Sequence, residues 1–148
     1  MIEITVDDKD LQKQLDSLKE KYQDLSPLML TLSEDLLFAV QENFETEGTR
    51  LPVDKQWPEL SEWTISERTS KGYWPGKKLH QTGILVNSIH PEYSSSEAVA
   101  GTNVPYAEIN HFGGMNDEGF YIPPRPFMEL IDQDMEDMME DVMSYLGK

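Results

Sequence analysis

The sequence predicts an α+β fold, in which N-terminal helices and a long C-terminal helix pack against a small antiparallel β-sheet. Apolar residues recur every three or four positions near both ends of the chain, a spacing typical of amphipathic helices. Between these regions lie short apolar stretches separated by Pro- and Gly-rich loops, which favour strands and turns. Because no internal repeat occurs, we expect one domain over residues 1–148, with a strand and helices at 1–47, a loop-rich segment at 48–78, a motif-bearing core at 79–127 and a C-terminal helix at 128–148.

The N-terminal region is predicted to contain one strand and two helices. A period-two alternation predicts a half-buried strand with the side chains Ile2, Ile4 and Val6 on one face. A helical stripe follows, formed by Leu11, Leu15, Leu18, Tyr22 and Leu25. Ser26 is expected to cap a second helix with Pro27 at its first position, and this helix ends near Glu47, before Gly48. Because the join is short, the two helices form either an antiparallel pair or one bent helix.

The middle of the chain is predicted to alternate short helices with loops. Ser61 caps a helix over residues 60–68, and residues 72–78 form an exposed, mobile loop. Thr82 caps a further short helix, after which residues 88–101 form a β-hairpin around three consecutive serines.

Towards the C-terminus, the sequence predicts two helices separated by a loop. Pro105 begins a short helix that Gly113 and Gly114 end, and its apolar face comprises Tyr106, Ile109 and Phe112. Residues 115–124 form an irregular loop, since two prolines and a glycine disfavour a strand ladder. Pro126 begins the last helix, whose buried stripe comprises Phe127, Leu130, Ile131, Met135, Met138, Val142, Tyr145 and Leu146. The opposite face carries the acids Asp132, Asp134, Glu136, Asp137, Glu140 and Asp141.

Composition excludes several functional classes. The chain of 148 residues has no cysteine, which excludes disulfides, thiolate zinc sites and cysteine nucleophiles. Its net charge of −16 opposes binding to phosphate backbones, because such contacts depend on Lys and Arg. No apolar run is long enough to span a membrane, and residues 1–8 lack the pattern of a secretory signal, so we expect a cytoplasmic protein.

The charges are unevenly distributed along the chain. Residues 50–78 hold six of the twelve bases against four acids, whereas residues 129–141 hold seven acids and no base. A positive loop region within an acidic body suits head-to-tail subunit contacts, although acids equally serve to solvate exposed faces. The five methionines between Met128 and Met143 are either core filler or an adaptable face for another subunit.

The sequence shows no catalytic or cofactor-binding motif. Its three histidines lack metal-ligand spacing, and it has neither a Walker loop nor a nucleophile elbow. Residues 132–137 resemble a calcium loop only in their acids, because the glycine for the sharp turn is missing. We therefore predict no enzyme, no metal site and no cofactor. Arg125 is expected either to pair with an acid of the same or a neighbouring subunit or to anchor a loop carbonyl, and His111 to form structural hydrogen bonds.

Three motifs share the order and spacing of one protein family. They are Leu79…Thr82-Gly83-x-Leu85, then Gly101-Thr102…Pro105-Tyr106-Ala107-x-Ile109…Phe112-Gly113-Gly114, and finally Ile122-Pro123-x-Arg125-Pro126-Phe127. From about Trp57 to the C-terminus, the chain resembles the phage virion-morphogenesis or tail-completion family. It departs from the family pattern at Asn110, because histidine directly follows the isoleucine in family members.

The resemblance implies a non-catalytic structural protein of a phage or prophage virion that acts in tail completion or head–tail joining. It implies self-association as a ring, often a hexamer, and contacts with other head, neck or tail proteins, but neither a specific nucleic-acid sequence nor a membrane. Such a protein is made in the cytoplasm of the bacterial host and then resides in the virion neck or tail. The positions implied as framework or subunit contacts are Tyr106, His111, Phe112, Gly113, Arg125 and Phe127.

Two other functional classes remain open on the sequence alone. An acidic DNA-mimic or protein-binding inhibitor would use the acidic helix face to occupy a DNA-binding protein. A small hydrolase would need a cleft with a perturbed carboxylate or histidine, which the sequence does not exhibit. Within a virion, the same acids would suit the wall of a DNA conduit, where negative charge repels the duplex.

Overall fold

The computed structural model describes residues 2–4, 8–21 and 24–147, and it confirms the predicted α+β class. In chain order, the elements are β1 (Ile2–Ile4), α1 (Lys9–Lys21), α2 (Ser26–Glu45), α3 (Glu62–Ser70), α4 (Ile84–Ser88), β2 (His90–Tyr93), β3 (Ala98–Thr102), α5 (Ala107–Phe112), β4 (Gly114–Met115), β5 (Tyr121–Ile122) and α6 (Asp132–Leu146). A 3-10 turn (Val53–Lys55) lies between α2 and α3.

β3 is the central strand of a three-stranded antiparallel sheet with the order β1-β3-β2. Ile2 of β1 pairs with Thr102 on one side of this strand, and His90 of β2 pairs with Gly101 on the other. Ala100 and Gly101 are buried in β3, and β3 contacts α2. Because β2 and β3 pair in antiparallel orientation, the predicted hairpin over residues 88–101 is confirmed.

α2 is the central helix of the core, because it contacts the sheet on one side and α6 on the other. The ring of Phe44, near the end of α2, packs edge-on against Trp57 with 5.8 Å between centroids. It also packs against Phe127 in a tilted arrangement with 5.1 Å between centroids. These three rings bring the N-terminal helices, the loop-rich segment and the third motif into one cluster. The buried apolar residues of α2 are Leu28, Met29, Leu32, Leu36, Ala39, Val40 and Phe44.

The predicted start of α2 was wrong by one residue, and its cap differs. Ser26 is the first helical residue, not the N-cap. Asp24 provides the carboxylate at this end, because its Oδ1 accepts hydrogen bonds from the N–H of Ser26 at 2.9 Å and from its hydroxyl at 2.5 Å. The other end follows the prediction, since Gly48 has a φ of +78° just beyond the helix. Three apolar positions of the N-terminal prediction lie outside the described backbone or side chains: Val6, Leu18 and Tyr22.

The prediction that Pro126 begins the last helix was wrong, because α6 begins at Asp132. Residues 126–131 are non-helical, and Asn43 of α2 accounts for much of this. Its Nδ2 donates hydrogen bonds to the carbonyls of Phe127 and Glu129, each at 2.8 Å, and fixes these residues against α2. Phe127 therefore enters the core from an extended segment rather than from a helical stripe.

Two of the six acids assigned to the solvated face of the last helix are not fully solvated. Asp134 is buried and forms an ion pair with Arg50. Its Oδ2 also accepts a hydrogen bond from the N–H of Ile131 at 2.9 Å, which stabilises the start of α6. Asp141 is half-buried and hydrogen-bonds to Asp35 of α2. The periodic pattern alone did not distinguish these acids from the exposed ones.

The prediction of an irregular loop over residues 115–124 was wrong, because β4 and β5 form a short hairpin there. Met115 lies opposite Tyr121 in the ladder. Asn116 stabilises the turn, since its Oδ1 accepts hydrogen bonds from the N–H groups of Glu118 at 3.1 Å and Phe120 at 2.9 Å. The two prolines follow β5 and therefore do not interrupt the ladder.

The remaining short elements differ from the predictions in one cap and one start, because α5 begins at Ala107 and not at the predicted Pro105, which lies in the preceding turn. Ser61 caps α3 as predicted, because its Oγ accepts a hydrogen bond from the N–H of Thr64 at 3.2 Å. Gly83, with a φ of +82°, and not Thr82, is the N-cap of α4. Residues 72–76 are exposed, as predicted for this loop.

Candidate subunit interface

Arg125 is buried and connects the third motif to the loop-rich segment. Its Nε and Nη2 donate hydrogen bonds to the carbonyl of Pro58 at 3.0 and 2.9 Å, and Nη2 also donates to the carbonyl of Glu59 at 2.8 Å. Burial lowers the pKa of the Arg125 guanidinium, the cation of Arg68 lowers it further, and Glu59 opposes both effects. Arg125 was predicted either to pair with an acid or to anchor a loop carbonyl. In the described part of the chain, its hydrogen bonds go to loop carbonyls.

His111 is a buried hydrogen-bond acceptor on the inner face of α5. Its Nδ1 accepts a hydrogen bond from the N–H of Met128 at 3.3 Å, and its ring packs edge-on against Phe127 at 5.3 Å between centroids. Burial lowers the pKa of His111, although the negative charge of Glu129 partly opposes this shift. The neutral imidazole is therefore favoured, and it suits an acceptor within an aromatic cluster.

Gly113 occupies a position that no other residue fits well. Its φ is +72°, which L-residues rarely adopt, and it directly follows α5. A Cβ atom there would lie 2.7 Å from both the carbonyl oxygen of Ile122 and the nitrogen of Pro124. The glycine thus allows the end of α5 to pass close to the strand that leads to Arg125.

Tyr106 and Phe112, unlike the other four candidate residues, are exposed. The sequence predicted an apolar face of α5 formed by Tyr106, Ile109 and Phe112. This face is not the buried face of the helix. Ala107 and His111 point into the core instead, while 68% of Phe112 remains accessible to solvent. The structure thus separates the six candidates into three buried residues (His111, Arg125 and Phe127), the half-buried Gly113 and an exposed pair.

α3 and the β4–β5 hairpin form a surface that the sequence patterns did not predict. Phe120 stacks on Trp63 with 6.2 Å between ring centroids and an interplanar angle of 18°. Both rings remain more than half exposed, as do Met115 and Tyr121 across the hairpin. We call this set of four residues the aromatic surface. The sequence did contain a signal for this hairpin, namely the turn-forming residues Asn116 and Gly119 on either side of two acids.

All six bases of residues 50–78 are engaged within the chain. Four lysines form ion pairs with acids near or at the surface, namely Lys55–Glu129, Lys71–Glu67, Lys77–Glu45 and Lys78–Glu59. Arg50 pairs with Asp134, and Arg68 donates to the carbonyls of Lys77 and Lys78 at 2.7 and 2.6 Å. The loop-rich segment therefore offers little free positive charge.

Neither metal-binding clusters nor membrane-spanning helices are found in residues 2–4, 8–21 and 24–147. No group of three or more His, Asp or Glu side chains within these ranges is arranged to hold a metal ion. The helices there are too short or too polar to cross a bilayer.

Clusters of exposed aromatic side chains, such as the aromatic surface, often mark sites at which a protein contacts other proteins. The chain belongs to the phage virion morphogenesis family, which matches residues 6–147. It is 34% identical to the Mu-like prophage FluMu G protein 2 of Haemophilus influenzae, over 98% of this chain and 96% of that protein. It is also 28% identical to the putative capsid assembly protein G of Escherichia phage Mu, over 86% and 82% of the two chains. No solved structure matches the chain significantly.

The resemblance inferred from the three motifs is thereby confirmed, and the match begins well before Trp57. Family membership assigns the chain a role in phage virion structure or assembly.

Proposed function

We propose that this protein is a non-catalytic structural subunit that acts in tail completion or head–tail joining and assembles as a ring, with a hexamer as the expected form. The observation that carries the proposal is the family match over residues 6–147. The near full-length relative from a Mu-like prophage and the name of the phage Mu relative, a putative capsid assembly protein, support it. On this proposal the subunit is made in the host cytoplasm and becomes part of the virion neck or tail.

The aromatic surface supports an action through protein contacts. Trp63 and Phe120 are 68% and 59% exposed, and their stacked rings line a groove of about 330 Å³ together with Tyr121 and Ile122. Soluble monomers rarely leave such aromatic clusters in water, whereas interfaces are enriched in them. We therefore assign the contact role to this surface, with exposed Phe112 at the start of the hairpin as a further contact residue. The other four candidates, the half-buried Gly113 and the buried His111, Arg125 and Phe127, hold the framework behind it.

The test measures assembly of the full chain. Sedimentation across a concentration series is expected to reveal a ring-sized oligomer in the wild type. The double variant Trp63→Ala/Phe120→Ala is expected to weaken association at least tenfold, because these rings would lie at the centre of the contact. Phe38→Ala is the matched control, since Phe38 is 62% exposed on α2, outside the aromatic surface.

Particle assembly provides the second readout. Deletion of the gene from an inducible phage should yield separate heads and tails, and wild-type protein should restore joined particles. The proposal fails if deletion leaves normal infectious particles. A wild-type protein that stays monomeric at every concentration and also adds to virions as single copies would refute the ring.

A further inference from the structure

We propose that the loop of residues 72–76, which carries Tyr73 and Trp74, binds in the groove of the aromatic surface on a second copy of this chain. We call this segment the Trp74 loop. The inference rests on the proposed function, because it presupposes that the aromatic surface is a subunit contact. It deepens that function by naming the part of the neighbouring subunit that fills the groove.

The groove is acidic as well as aromatic. Glu118 lines it together with Phe120, and Asp117 is exposed next to Glu118 at the tip of the hairpin. No Lys or Arg occurs in residues 81–124 to balance these two acids. Like charges brought together at an interface oppose binding. The segment that fills the groove should therefore combine exposed apolar side chains with an absence of acids.

At a net charge of −16, few surfaces of the chain meet this requirement. Residues 68–91 form its longest stretch without Asp or Glu, and they include four bases. Three of these bases form ion pairs with acids of the same subunit, so the stretch is close to neutral rather than strongly positive. It can approach an acidic groove without repulsion between like charges.

Exposed side chains within this stretch single out the Trp74 loop. Outside the aromatic surface, the large apolar side chains that are exposed in the described part of the chain have an acid within four positions, except Tyr73, Trp74 and Ile84. Ile84 is one aliphatic side chain on α4, whereas Tyr73 and Trp74 are adjacent rings, 41% and 37% exposed, on a loop. Tyr and Trp are the residue types that most often dominate binding at interfaces.

Hydrogen bonds hold the base of the Trp74 loop in place. The buried Arg68 donates to the carbonyls of Lys77 and Lys78 at 2.7 and 2.6 Å. On the other side of the loop, the N–H of Tyr73 donates to the carbonyl of Arg68 at 2.8 Å. The N–H of Lys78 also donates to Oε1 of Glu47 at 2.8 Å. A loop that is already held at its base loses less conformational freedom when it binds.

The groove and the Trp74 loop lie at opposite ends of α3. Trp63 is in the first turn of this helix, and Tyr73 follows its last turn. The nine residues of α3 span about 13 Å, so each subunit presents a groove at one end and a loop at the other. A contact between two such different surfaces is head-to-tail, and it gives a ring when its repetition closes.

The first experiment couples introduced thiols in the full chain. Because the sequence contains no cysteine, a short bismaleimide can link only introduced cysteines. Tyr73→Cys places a thiol beside Trp74, and Thr64→Cys places one in the wall of the groove. Val53→Cys is the matched control for the loop variant, since Val53 is exposed in the loop-rich segment but outside the Trp74 loop.

We expect a mixture of Tyr73→Cys and Thr64→Cys to give linked heterodimers at least about tenfold faster than a mixture of Val53→Cys and Thr64→Cys, because bound loops hold the two thiols together. Equal rates in the two mixtures overturn the inference. Tyr73→Cys that couples mainly to itself indicates a contact between two loops and overturns it as well.

The second experiment measures association by sedimentation, with circular dichroism to verify that each variant is folded. Trp74→Ala is expected to associate at least about tenfold more weakly than wild type, and Val53→Ala is expected to associate normally. Mixing Trp74→Ala with Trp63→Ala/Phe120→Ala should produce dimers but no rings, because the intact loop of one variant fits the intact groove of the other. A mixture that stays monomeric refutes the pairing of loop and groove.

The outcomes separate this inference from the proposed function. If Trp63→Ala/Phe120→Ala disrupts rings while Trp74→Ala assembles normally, the ring proposal stands and the Trp74 loop is refuted as the occupant of the groove. If wild type does not self-associate at any concentration, a second copy does not fill the groove and the inference fails. Particle assembly after deletion of the gene then still decides whether the protein has the proposed structural role.

Discussion

Asp35 is the residue at which a single substitution is expected to stabilise the fold. It lies on α2, against the carboxyl group of Asp141 on α6 and near Asp137 and Glu34. One of its oxygens, Oδ2, is buried without a hydrogen-bond partner among the described residues. Burial, the hydrogen bond with Asp141 and repulsion by the three acids raise the pKa of Asp35 from 3.8 to about 7. In the folded state, Asp35 is therefore protonated at acidic pH and loses its proton near neutrality.

The direction of the pH dependence follows from this shift. Between pH 4 and 7 the folded state holds a proton that the unfolded state has released, so stability falls as the pH rises through this window. A shift from 3.8 to about 7 corresponds to about 4 kcal/mol if fully expressed. Because Asp35 is only half-buried, screening by solvent reduces this to about 1–2 kcal/mol.

Asp35→Asn removes the charge and keeps the shape and hydrogen-bonding capacity of the side chain. At pH 8 we expect the variant to be about 1–2 kcal/mol more stable than wild type, which raises the Tm by about 2–8 °C. The gain should disappear near pH 4, where Asp35 is protonated. His111 acts in the opposite direction, because its lowered pKa destabilises the fold as the pH falls through 6.5, so the variant must be compared with wild type at each pH.

The assay is thermal unfolding followed by circular dichroism from pH 4 to pH 8. Glu136→Gln, an exposed acid on α6, is the control for the loss of one negative charge. If Asp35→Asn is no more stable than wild type at pH 8, or if its advantage is the same at pH 4, the raised pKa of Asp35 is refuted as the cause.

Two further substitutions test the framework by urea unfolding. Arg50→Ala is expected to lower the free energy of unfolding by about 2–4 kcal/mol, because it leaves Asp134 buried without its cation. Lys55→Ala should lower it by less than about 1 kcal/mol, since the ion pair of Lys55 is more exposed. Equal losses of stability in the two variants would refute a special role for Arg50. Gly113→Ala is expected to cost about 2 kcal/mol or more, because positive φ and the carbonyl of Ile122 both oppose a Cβ atom. Gly119→Ala shares the positive φ in open space and should cost about 1 kcal/mol, so a similar loss at both glycines would contradict the steric argument.

Local signals in the sequence were sufficient to predict most of the elements. The 3.6-residue spacing located the helices, and the serine-rich turn located the β2–β3 hairpin. The start of α6 was missed because a contact 80 or more residues away decides it. Asn43 holds the carbonyls of Phe127 and Glu129, and no pattern near Pro126 reveals this hydrogen bond.

In the candidate site, too, local motifs were predictable from the sequence and long-range contacts were not. The resemblance to a phage family was visible in three short motifs, and the family match confirms it. The aromatic surface was missed because Trp63 and Phe120 lie 57 positions apart in the sequence and meet only through the β4–β5 hairpin.

The ion pairs in the structure change the interpretation of the charge distribution along the chain. The sequence suggested that the basic residues 50–78 contact an acidic neighbour, but the four lysines and Arg50 already have acidic partners within the chain. An assembly driven by those lysines would weaken steeply with salt, because exposed ion pairs are screened. Contacts centred on apolar rings are screened far less. At a net charge of −16, moderate salt should even favour association, because it reduces the repulsion between subunits.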